Sequence, residues 1–63
     1  MYTVYRWETV DGRGRWVWYY ASSDLQVACQ EARSWYQMYK SDQVMVIEGT
    51  ELTEDSRIML SLG

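Results

Sequence analysis

Tyr5-Arg6-Trp7-Glu8-Thr9-Val10-Asp11-Gly12-Arg13-Gly14-Arg15-Trp16-Val17-Trp18-Tyr19-Tyr20 is the stretch that decides the fold. β-Branched and aromatic residues dominate residues 2–10 and 15–21, which predicts two strands. Asp11-Gly12 and Gly14 supply the positive-φ positions that a tight hairpin demands. A turn over Asp11–Gly14 pairs Val10 with Arg15, and then Trp7 with Trp18, Tyr5 with Tyr20 and Thr9 with Trp16. Side chains alternate across a strand, so all of these rings share one face of the ribbon. Val4, Arg6, Glu8, Val17 and Tyr19 share the other.

Downstream, Ser22-Ser23-Asp24 predicts a helix start, with Ser23 as N-cap, Gln26 completing a capping box and Asp24 suiting the positive end of the helix dipole. Leu25, Ala28, Cys29, Ala32, Trp35, Tyr36 and Tyr39 then fall within an arc of about 120°, as on a helix lying on a sheet. Lys40 suits the far end of the dipole, and Ser41-Asp42 closes the segment. The small residues Ala28, Cys29 and Ala32 would let the helix approach a crowded surface. The expectation is therefore that Trp7, Trp16 and Trp18 lie beneath it.

Val44-Met45-Val46-Ile47 is an apolar run of strand length within residues 43–48. Residues 57–62 read as a further strand, hairpinned on the third through Thr53–Ser56, with a helix from Thr53 as the alternative. The fold class expected is α+β, ββαβ or ββαββ: an antiparallel sheet of three or four strands with one helix on one face. The third strand should lie beside the first. Residues 1–63 form a single small domain.

At this length folding buries only about 60% of the unfolded chain's surface, so something must supplement the core. One cysteine excludes an internal disulfide, and with no histidine there is no credible zinc or redox-metal set. Four tryptophans and six tyrosines remain, with no phenylalanine. Every ring therefore carries a polar tip, which suits half-buried sheets and interfaces. Met1 and Gly63 are expected to bound a complete small protein. No targeting segment is expected, and no apolar run nears the roughly 18 residues of a membrane span. The free Cys29 makes the cytoplasm the expected location.

The chemistry-bearing residues point away from catalysis. Histidine, the usual general base, is missing. Cys29 falls mid-helix on the apolar face, where a small buried hydrophobe is expected. Glu48, Glu51, Glu54 and Asp55 match neither a paired-carboxylate site nor a calcium loop, and read as a solvated acidic turn. Neither a cofactor nor a small-molecule substrate is expected. Net charge is −3, with five basic and four acidic residues in 1–40 but one basic and five acidic in 41–63. General nucleic-acid binding needs a basic footprint, which this balance lacks.

Two features ask for a partner. The third strand is apolar on both faces although a single helix covers one. Val4, Arg6, Val17 and Tyr19 are expected on the face away from the helix, a mixed apolar patch of interface-like composition. The competing explanation is that the C-terminal segment folds back over that face. The expected function is a non-enzymatic protein-interaction module. It would be a homodimer acting as a small regulator or inhibitor of a larger protein, of the kind phages encode as accessory proteins. The alternative is a nucleic-acid binder using the basic aromatic hairpin tip, Arg13, Arg15 and Trp16.

Overall fold

Asp11 and Gly12 both adopt positive φ, 52° and 77°, as a two-residue type I′ hairpin turn requires. They join β1 (Tyr2–Val10) to β2 (Arg13–Ser22). The structure is a computed structural model that describes residues 1–39 and 43–63. The turn is tighter than the expected Asp11–Gly14, and the register moves with it. Val10 faces Arg13, Trp7 faces Trp16 and Tyr5 faces Trp18. The reason is local: Asp11-Gly12 alone supplies both left-handed positions, which releases Arg13 and Gly14 into the strand. Gly14 is then useful for having no side chain. A Cβ built there would collide with the Trp7 ring at Cζ2 and Cε2, so the indole lies directly on the Gly14 backbone. From that seat Trp7 meets Trp16 edge to face, with ring centroids 5.1 Å apart.

Within the β1–β2 ladder the register slips once, between Tyr5–Trp18 and Val4–Tyr20. Such an irregularity places an extra residue on one strand and re-aims its side chains. Here Tyr19 and Tyr20 both pack towards the helix-side core.

Helix α1 spans Leu25–Tyr39. Its N-cap is Asp24, not Ser23. The Asp24 carboxylate accepts from the Gln26 amide at 2.9 Å, and its carbonyl accepts from the Ala28 amide at 3.1 Å. The Asp24 amide in turn donates to Ser22 Oγ at 3.0 Å. The expectations for Lys40, Ser41 and Asp42 lie outside the described residues. β3 (Val44–Glu48) and β4 (Ile58–Leu62) complete one open antiparallel sheet of order β2-β1-β3-β4. The molecule is thus a small ββαββ α+β fold, with the third strand beside the first and the tail a strand. The turn before β4 sits at Thr53–Ser56, closed by Ser56 N–H to the Thr53 carbonyl at 3.2 Å and Thr53 N–H to Ser56 Oγ at 2.8 Å.

The helix covers the face opposite to the one expected. Its buried Ala28 and Ala32 meet Val4, Val44 and Val46, all fully buried. Each such valine contributes about 1.5–3 kcal/mol by burial. Small residues on the helix match small residues on the sheet, so the two backbones approach closely at the centre. The helix's large rings sit towards its C-terminal end, where Trp35 meets Tyr19 at 4.5 Å and Tyr39 at 4.1 Å between centroids. A sheet face carrying Trp7, Trp16 and Trp18 would have held Ala28 and Ala32 too far away to touch anything.

Two substitutions test this account. Asp24→Ala should lower unfolding free energy by about 1 kcal/mol in urea titration, while Ser23→Ala stays within about 0.5 kcal/mol. Gly14→Ala should cost about 1–3 kcal/mol by displacing Trp7. In the Trp7→Leu background most of that cost should vanish, a coupling that a double-mutant cycle reads directly.

Candidate functional site

The face of the sheet away from α1 is where side chains without an internal cover can lie. Strand alternation puts Thr3, Tyr5 and Trp7 of β1, Trp16 and Trp18 of β2, and Met45 and Ile47 of β3 on that side. One half of it is covered by the chain itself. Thr3, Met45 and Ile47 are 0%, 5% and 0% exposed. The connection between β3 and β4 supplies polar partners there. Thr3 Oγ1 donates to the Gly49 carbonyl at 2.6 Å, Tyr5 OH donates to the Thr50 carbonyl at 3.3 Å, and Gly49 N–H donates to the Met1 carbonyl at 2.7 Å. The two-sided apolar β3 is therefore buried on both sides within one chain. The second apolar face of the third strand, read as a reason to expect a partner, is not an open surface: Met45 and Ile47 are buried within the chain.

The other half stays open. β1 pairs with β3 only over Tyr2–Arg6. Beyond it the hairpin projects as a two-stranded ribbon, tethered at its base by Trp7 N–H to the Gln43 carbonyl at 2.8 Å. Trp7 and Trp16 are half-buried against each other, and Trp18 is 57% exposed. β2 is also the sheet's edge, ten residues long, and no described strand pairs with its outer side.

The residues expected to bind a partner sit elsewhere. Val4, Arg6, Val17 and Tyr19 do share a face, but it is the helix face. Val4 belongs to the buried core, Tyr19 packs against Trp35, and the Arg6 guanidinium lies over the Trp35 ring, 5.1 Å from its centroid. The physical cause is the same as for the helix: close packing selects the valine-rich side, so the residues assigned to the open side change places with the indoles. The open residues are the indoles, Trp18 above all, because ring size alone does not place a side chain in the core. One signal could have found them: each ring has a polar tip, which a dry core would strand.

At the ribbon tip, Arg13 and Arg15 pair with Val10 and Glu8 on the helix side, whereas Trp16 lies on the far side. Arg15 is held by Glu8 at 3.1 Å. Stacking on bases while gripping phosphates needs rings and guanidiniums on one surface, and the register separates them. Glu48, Glu51, Glu54 and Asp55 are all exposed, and among the described residues no three His, Cys, Asp or Glu side chains converge. Cys29 is half-buried against the core, beside a shallow depression lined by Leu25, Gln26, Gln30 and Arg33. Among the described residues no helix is long and apolar enough to cross a membrane.

No family model matches the chain, and neither a curated protein nor a solved structure matches it.

Among the three hydrogen bonds that tie the connection to the far face, the one from Thr3 is made by a fully buried residue. Thr3→Val keeps the shape but leaves the Gly49 carbonyl without its donor, which should cost about 1–3 kcal/mol. Hydrogen exchange should quicken at the Gly49 amide before it does in α1.

Proposed function

We propose that this chain is a non-enzymatic protein-interaction module. It works as a homodimer, a small regulator or inhibitor of a larger protein, and associates through the bare end of its sheet. The observation that carries this is Trp18, a large ring 57% exposed on an edge strand, beside the Trp7–Trp16 pair. Tryptophan is the residue type most enriched where binding energy concentrates. A bare edge strand offers backbone hydrogen bonds next to that apolar area. On the β3 side of the far face Thr3, Met45 and Ile47 are buried and the chain crosses at Gly49 and Thr50, which favours contact on the β2 side.

Sedimentation equilibrium tests the proposal. Wild-type chain should sediment as a dimer, and Trp18→Lys as a monomer with unchanged far-UV circular dichroism, because the ring supports little of the internal packing. A monodisperse wild-type monomer at high concentration, with the β2 amides unprotected in hydrogen exchange, would defeat it.

A further inference from the structure

We infer that two copies of this chain join by antiparallel pairing of their β2 edges about a two-fold axis at Val17, giving one continuous eight-stranded sheet. This rests on the self-association proposed above and specifies its geometry. The hairpin turn decides which backbone groups are available. In a two-residue turn the flanking residues, Val10 and Arg13, form a hydrogen-bonded pair, and such pairs alternate along the ribbon. Arg13, Arg15 and Val17 therefore direct their amides and carbonyls inward to β1. Gly14, Trp16 and Trp18 direct theirs outward, to the unpaired edge.

Natural edges are blunted by charge, proline, bulges or shortness. β2 carries arginines near its tip and the irregularity at Tyr19-Tyr20 near its other end. The chain contains no proline. The unguarded window is Trp16-Val17-Trp18. Three symmetric registers place outward groups opposite one another within reach of that window. An axis at Trp18 runs the pairing straight into the Tyr19-Tyr20 irregularity. An axis at Trp16 sets the partner's Trp18 opposite Gly14, where the space above the backbone is already filled by Trp7. The axis at Val17 keeps the hydrogen-bonded pair next to it, Trp16 with the partner's Trp18, clear of both, and meets the irregularity only at the margin of the pairing. It pairs Trp16 with the partner's Trp18 and the reverse, so each exchanges two backbone hydrogen bonds and the exposed Trp18 ring gains a neighbouring indole. Arg15 then stands opposite the partner's Tyr19, not opposite its own copy, which keeps like charges apart. Both helices lie on one side of the joined sheet and the indole ladder on the other.

A crosslink reads the register. Val17 meets its own copy at a non-hydrogen-bonded position, where Cα atoms stand about 4.5 Å apart, within disulfide range. In a Cys29→Ala background, Val17→Cys should oxidise to a disulfide-linked dimer in air, while Arg13→Cys on the same strand face stays a free thiol. As a second measurement, N-methylation of the Trp18 amide in a synthetic chain removes an outward donor and leaves the side chain intact. It should weaken dimerisation by about tenfold or more and leave circular dichroism unchanged. A wild-type dimer in which Val17→Cys fails to crosslink and N-methyl-Trp18 has no effect would overturn this register while self-association stands. A wild-type monomer would overturn both.

Discussion

The two left-handed residues at Asp11 and Gly12 are the constraint from which the rest follows. A two-residue turn leaves no freedom in pairing: once Val10 faces Arg13, Trp7 must face Trp16 and Glu8 must face Arg15. That pairing puts a glycine diagonally beside Trp7, which seats the indole flat on the backbone. It puts Glu8 within salt-bridge distance of Arg15 on the opposite face. A turn longer by two residues would keep the same side chains on the same faces but lose both contacts. Local geometry at the turn thus selects partners, whereas the alternation of the strands selects faces.

Choosing which face to cover is a separate, non-local problem, and packing density decides it. A helix whose central contacts are Ala28 and Ala32 gains dispersion energy only if the sheet below is equally small. Val4, Val44 and Val46 form such a floor. The partition of residues into two faces was legible from alternation in β1 and β2. The choice between the faces was not, because it depends on β3, whose own residues are apolar on both sides and so give no direction. The irregularity at Tyr19-Tyr20 was equally illegible. It carries Tyr20 to the helix side, where Tyr19 already lies by alternation with Val17 and completes a ring cluster with Trp35. The order of β1 and β3 follows from the rule for a helical crossover, whereas the helix arc, the N-terminal Ser22–Asp24 region and the turn at Thr53–Ser56 follow from periodicity and capping chemistry. Those signals are local, and they held. Only the identity of the N-cap changed, from Ser23 to Asp24.

The coverage of the far face shows how a small chain treats its limited core. β3 needs shelter on both sides, and one helix provides it on one. The connection after β3 meets the other at Gly49 and Thr50, and a connection without regular structure must place its backbone carbonyls somewhere. Thr3 and Tyr5 accommodate this by donating to Gly49 and Thr50. The Tyr5 hydroxyl reaches the exposed Thr50 carbonyl, a contact that a phenylalanine could not make. The absence of phenylalanine thus has a structural reading on this face: its rings border on polar backbone or on solvent.

The same reasoning separates the covered half of the far face from the bare half. Where a connection crosses, apolar side chains are fully buried and their polar neighbours are satisfied within the chain. Where β1 outruns β3, nothing of the described chain crosses, and the indoles stand on a ribbon with one long unpaired edge. Two-stranded ribbons are marginal alone in water, so the Trp7–Trp16 contact and the Glu8–Arg15 pair on its opposite faces stiffen it. Stiffness matters for association because a pre-ordered edge loses less conformational freedom when it pairs. The features that hold the hairpin upright are therefore the ones that make its outer strand a competent template, and burial of Trp18 is what a second strand would add.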